Sequence, residues 1–195
     1  EMTIKLSEVF TQLTYGELSQ VSIGGGEAGQ IDDDNYEHIV AHINLGLTAL
    51  YKRFPLKEAH LKINVQSGRI TYPINSLYAM SNIGSSEIIK YIDDTAEPFK
   101  DDVLKIERVY DSDGNEFSLN DAGDLNSFST PSSTVLRAPI GLTATTLDVV
   151  YRANHPLILV NPGAFNPNAI DLELPVTHLE PLLLYVASRF HAPTG

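Results

Sequence analysis

Cysteine is absent from the 195 residues, so the chain can build no disulfide framework, no thiolate metal site and no cysteine nucleophile. Such a composition suits a reducing cytosol. Tryptophan is absent as well, which leaves the aromatic content to nine Tyr and seven Phe. No stretch approaches the roughly 18 apolar residues that a membrane span requires. The N-terminus shows no basic segment followed by an apolar run, and the sequence predicts neither secretion nor membrane insertion. Cations are scarce: 13 Lys and Arg stand against 25 Asp and Glu, for a formal net charge of −12. Binding to phosphate backbones depends on Lys and Arg displacing counterions, so this balance excludes a DNA-coating protein. It is compatible with a surface that DNA passes without sticking, because like charge keeps that surface non-adhesive.

What the chain does contain is the makings of a folded protein. Hydrophobic residues make up 43% and charged residues 19%, ordinary values for a packed globule. The length allows one domain, or a small domain carrying a large insertion.

Hydrophobic period divides the chain. Residues 3–20 read as an amphipathic helix with Leu6, Val9, Phe10 and Leu13 on one face, interrupted by Gly16. Residues 22–31, with Gly24, Gly25, Gly26 and Gly29, read as a loop. A long helix is expected from about Asp33 to Phe54, with Asp34 as N-cap, Glu37 completing a capping box and Pro55 ending it. Its core stripe is Tyr36, Ile39, Val40, Ile43, Leu47, Leu50, Tyr51 and Phe54. On the opposite side Ala41, Leu45 and Ala49 recur every four residues between His38, His42, Thr48 and Lys52. Small residues allow close helix approach, so this second ridge is expected to meet another helix, of the same chain or of a neighbouring subunit.

From Leu56 the period changes to two. Ala59, Leu61, Ile63 and Val65 alternate with polar residues, Ser67 and Gly68 turn the chain, and Ile70 and Tyr72 resume the alternation, as in a β-hairpin. Further strands are expected at 87–92, 103–110, 116–119, 133–137 and 145–153, with a hairpin turn at Asp113-Gly114. Residues 120–132 read as a surface crossing, and the proline-bearing stretch 154–175 as an irregular return. A last helix is expected from a Thr177/Glu180 capping box through Phe190. The expected fold is therefore α+β: a helical base of N-terminal, long central and C-terminal helices with a β-rich, barrel-like or sandwich-like insertion. The expected divisions are 1–57, 58–170 and 171–195.

Motifs for catalysis are weak. Asp111, Asp113 and Asn115 resemble the opening of a calcium loop, but Glu116 stands where glycine is required and Ala122 where the twelfth ligand belongs. His38 and His42 share a helical face as zinc ligands can, yet Ile39 replaces the glutamate of a metalloprotease. The glycines at 24–26 lack the Lys-Ser or Lys-Thr of a phosphate loop. No catalytic, cofactor or metal residues are assigned, and a carboxylate-based hydrolase has no motif behind it.

The order of elements and four segments carry a resemblance: Asn44 to Pro55, Asp101 to Glu116, Leu147 to Pro156 and Leu182 to His191. Together they resemble the head-to-tail adaptor, or connector, proteins of tailed double-stranded-DNA bacteriophages. That resemblance implies a non-enzymatic virion protein at the head–tail junction, assembled in the host cytoplasm. It implies a homo-oligomeric ring, commonly a dodecamer, with the portal protein above, a tail or nozzle protein below, and DNA passing through the channel without specific binding. The residues themselves suggest Ala41, Leu45, Ala49, His38 and His42 for subunit contacts, and Ser67, Gly68, Gly24, Gly25 and Gly26 for partner contacts. The alternative is a tail or fibre module that recognises a carbohydrate or receptor through its β-rich part, with Tyr72, Tyr78 and Tyr91 as exposed tyrosines.

Overall fold

A computed structural model describes residues 3–21 and 29–191. Among them the chain forms nine strands and three α-helices, and it divides into two compact units, Glu1–Phe54 with His155–Gly195 and Pro55–Asn154.

In the first unit, β1 (Ile4–Lys5) runs straight into α1 (Leu6–Tyr15) and pairs antiparallel with β9 (Asp171–Leu172). Lys5 Nζ lies 2.8 Å from Asp171 Oδ1 across that pair. The amphipathic spacing of α1 buries Leu6, Val9, Phe10 and Leu13, and the helix stops at Gly16, whose N–H donates to Gln12 O. The central helix α2 spans Tyr36–Arg53 and buries Ile39, Val40, Ile43, Gly46, Leu47, Leu50 and Tyr51. Helix α3 (Leu179–Phe190) buries Leu182, Leu183, Val186 and Ala187. It crosses α2 at Gly46, where an added Cβ would come within 2.7 Å of Leu182 Cδ1 and 3.0 Å of Tyr185 Cδ1. Only a residue without a side chain lets the two backbones approach that closely.

The second unit is built on two antiparallel sheets. One has the order β4 (Ile92–Asp93), β2 (Glu58–Asn64), β8 (Thr146–Ala153), β5 (Val103–Tyr110). The other has the order β3 (Thr71–Pro73), β7 (Val135–Arg137), β6 (Ser129–Ser132). Alternation decides which side chains turn inward. Leu61 and Ile63 of β2, Tyr72 of β3, Leu136 of β7 and Leu147, Val149 and Tyr151 of β8 meet in one apolar core with Tyr91 and Phe128.

The expected helical base is corrected. Helix, 3-10 turns included, accounts for 27% of the described residues, and the nine strands pair into three antiparallel sheets. The helices are shorter than the periodicity suggested, because local bonds compete at their ends. Asn35 Oδ1 accepts the Asp32 N–H, folding residues 32–35 into a turn, so the anticipated Asp34 capping box does not form and α2 begins at Tyr36. A 3-10 turn at Val176–His178 likewise displaces the Thr177 cap, and α3 starts at Leu179. The first unit also contains a sheet, β1 with β9, rather than helices alone. Its return begins at His155 instead of 171, because Asn44 holds Ile158 through two hydrogen bonds and Tyr36 packs on Phe165.

Candidate interaction surfaces

On α2 the sequence-derived ridge faces solvent: Ala41 and Ala49 are exposed and Leu45 is 52% exposed. The helix that packs on α2 does so on the other arc, at Gly46. Beside the ridge, Asn44 Nδ2 donates to Ile158 O (2.9 Å) and its Oδ1 accepts from Ile158 N (3.0 Å). This two-way bond mimics a strand pairing and leaves Leu157 and Leu159 exposed on either side of the buried Ile158. Leu45, Leu157 and Leu159 are thus apolar side chains that the described residues leave exposed.

The two histidines take different places. His38 is exposed, whereas His42 is half-buried with its ring edge-on to Phe190 at 5.0 Å. Burial lowers the His42 pKa, and the nearby Arg189 cation and His38 lower it further. That cation opposes a metal ion on the pair. Among the described residues no three His, Asp or Glu are grouped to hold a metal. The remaining sequence-derived glycines, Gly24, Gly25 and Gly26, lie outside the described residues.

Ser67 and Gly68 form the tip between β2 and β3, with Gly68 at φ 77°. They border a groove of about 530 Å³ whose other wall is Ser86–Ile89. Arg69, which lines it, is held by aromatic stacking. The Arg69 guanidinium sits 4.7 Å from the Tyr91 ring centre and 5.1 Å from that of Tyr78, and Tyr91 meets Tyr72 edge to face at 5.1 Å. Tyr91 OH donates to Pro73 O (2.6 Å) and Tyr72 OH to Arg69 O (2.9 Å). Burial raises the Tyr91 pKa, and Arg69 offsets part of that rise. The expected exposed tyrosines are corrected here: Tyr72 and Tyr91 are buried and only Tyr78 is half-exposed. The same stretch shows what periodicity missed. Residues 87–92 read as a strand, yet only Ile92–Asp93 pair, and Ile88 is 95% exposed.

Other polar side chains of this unit form local bonds and ion pairs. Asp111 Oδ1 accepts from Asp113 N (2.9 Å) and Asn115 N (2.8 Å), and Oδ2 from Asn115 Nδ2 (2.9 Å), so the calcium-like residues close a hairpin turn. Across the outward face of the larger sheet, Arg108 Nη2 meets Glu58 Oε1 at 2.9 Å and Arg152 Nη2 meets Glu107 Oε1 at 2.7 Å.

Asp94 is a buried carboxylate that accepts from Ser81 N (2.9 Å), Ser81 Oγ and Phe99 N (2.8 Å). Burial pushes its pKa up, but these bonds outweigh it and hold the group below the usual carboxylate range. Stability from a depressed carboxylate is present above the unfolded pKa of about 3.9 and is lost as pH falls through the folded value. Asp94→Asn brings an amide against three donors and should lower stability at pH 7 by about 2 kcal/mol. Its gap from the wild type should close as pH falls below about 4 in denaturant titrations.

No protein-family description matches the chain, and no curated protein matches it in sequence. No helix of the described residues is long and apolar enough to cross a membrane.

Proposed function

We propose that the chain is a structural virion subunit, a head-to-tail adaptor that packs into a ring between the capsid portal and the tail and extends the DNA channel. The observation that carries this reading is α2, a helix apolar on two opposite flanks, of which the fold buries one and leaves Ala41, Leu45 and Ala49 exposed. Heterologous contacts between identical subunits close into rings when the rotation allows. The charge of −12 supports a conduit role, because an anionic lumen keeps a moving duplex from adhering. In this reading the partners are further copies of the chain, the portal above and a tail or nozzle protein below, and the location is the head–tail junction.

Leu45→Lys tests the subunit contact. Exposed positions away from special features usually change stability by no more than about 0.5 kcal/mol, so the variant should melt like the wild type. A lysine in a desolvated contact should abolish oligomers when the protein is mixed with its portal, read by native mass spectrometry. Unchanged assembly would remove this flank from the interface, and loss of monomer folding would place Leu45 in the core.

A further inference from the structure

Where α3 ends, it packs against a histidine of α2. His42 lies one turn before Gly46, the residue at which the two helices cross, and its ring stands edge-on to Phe190, the last residue of α3, at 5.0 Å. Its Nδ1 is buried and has no hydrogen-bond partner. A neutral imidazole tolerates this, because one ring nitrogen needs no acceptor when the proton sits on the other. An imidazolium does not. The second proton must land on Nδ1, where nothing accepts it, and a buried charged donor without a partner is destabilising.

Charge around the ring acts in the same direction. Arg189 of α3 is fixed by Tyr185: its Nη2 donates to Tyr185 OH (2.7 Å), and its guanidinium lies 4.9 Å from the centre of that ring. Among the described residues, the charged or titratable groups that act on His42 are Arg189 and His38, the latter one turn earlier on α2, and both disfavour its cation. No carboxylate is among them. The next histidine along α3 behaves differently. His191 Nε2 is bonded to Glu17 O (3.1 Å), a carbonyl to which either a neutral or a protonated ring can donate. Acid therefore acts on this end of α3 at His42.

We propose that the C-terminal turn of α3 is an acid-released latch. It is closed on α2 while His42 is neutral and opens when His42 takes up a proton beside Arg189. The device stands independently of the ring reading, since it needs only contacts within one unit of one chain. A histidine held neutral in the folded state adds stability that is complete above the unfolded pKa of about 6.5 and is lost as pH falls through the folded value. Carboxylates titrate near about 4, so the interval from about pH 7 to about pH 5 reports on histidines.

Nuclear magnetic resonance of the full chain over that interval tests the latch. The His42 ring protons should titrate below the ordinary histidine midpoint, and the backbone amides of Val186, Ala187 and Phe190 should lose their helical shifts with the same midpoint. Amides of Val149 and Tyr151, in the other unit, should not follow it. His42→Gln places an amide that takes up no proton, and should leave the α3 amides unchanged throughout. Arg189→Gln alters an exposed residue, so folding should be unaffected, and it should shift the release to higher pH. An α3 that keeps its helical shifts down to about pH 5 would overturn the latch, as would a transition that survives in His42→Gln. If His42→Gln does not fold, Arg189→Gln decides: an unmoved midpoint overturns the proposal, and a raised one supports it.

Discussion

Gly46→Leu will strongly destabilise the helical unit while the β unit keeps its stability. At this crossing a Cβ alone would come within 2.7 Å of Leu182 Cδ1 and 3.0 Å of Tyr185 Cδ1. Leu182 is fully buried, so it has nowhere to swing, and a whole leucine side chain must push α3 off α2. Overpacking of this kind costs about 3 kcal/mol, occasionally more. That is a large part of the 5–15 kcal/mol, roughly, that holds a domain folded. Alanine is the informative milder variant, because its better helix propensity returns about 1 kcal/mol against the steric cost. Circular dichroism should show helix lost at a lower denaturant concentration than in the wild type, and amide exchange should show Val149 and Tyr151 of β8 still protected. A Gly46→Leu protein with wild-type helix content and denaturation midpoint would contradict the packing of α2 on α3.

The second large effect is expected at Tyr91→Ala, in the β unit. Tyr91 is fully buried, stacks on Tyr78 with ring centres 4.7 Å apart and carries the Arg69 guanidinium over its face. Truncating a buried aromatic to alanine costs about 4 kcal/mol, the sum of lost transfer energy and a residual cavity. The Ser67-Gly68 turn should loosen with it, because Arg69 loses one of its two aromatic supports. Tyr91→Phe separates the contributions: it keeps the ring and removes only the hydrogen bond to Pro73 O, worth about 1 kcal/mol. Denaturant melts of the three proteins should rank wild type, Phe, Ala. A phenylalanine variant as damaged as the alanine one would show that the hydroxyl, not the stack, holds this part of the core.

How legible these features were depends on which physical signal each one sends. The alternation of β2 and the turn at Ser67-Gly68, a glycine at positive φ, were readable, but the expected β-hairpin is corrected: β2 pairs with β4 and β8 while β3 pairs with β7 in the other sheet, because alternation does not say which strand will be the neighbour. The buried stripe of α2 was readable for Ile39 through Tyr51, but Phe54 was assigned to it and instead lies outside the helix, exposed against His178. Gly46 carried no visible signal, since a helical glycine reads as a weakness until the facing helix is known. Strand β6 was hidden because Ser129-Thr130-Pro131-Ser132 has the composition of a turn. Ile88 and Ile89 misled in the other direction, since two adjacent β-branched residues suggest a strand whether or not a neighbour offers a ladder. The helical base was overestimated because periodicity reports which residues share a face but not where an Asx turn or a 3-10 turn cuts the helix short.

The surface features follow the same division. The Ala41, Leu45 and Ala49 flank was legible from helical spacing alone, since it lies opposite a strong core stripe. The groove beside Arg69 was not, because burial of Tyr72 and Tyr91 depends on which face of each segment meets the second sheet.

The most direct test is electron microscopy of the native particle, with the chain placed by a gold-labelled tag. We expect a rotationally symmetric ring of this protein between portal and tail, with α2 flanks at the subunit boundaries. Single copies at fibre tips, or a particle without the chain, would contradict the assignment.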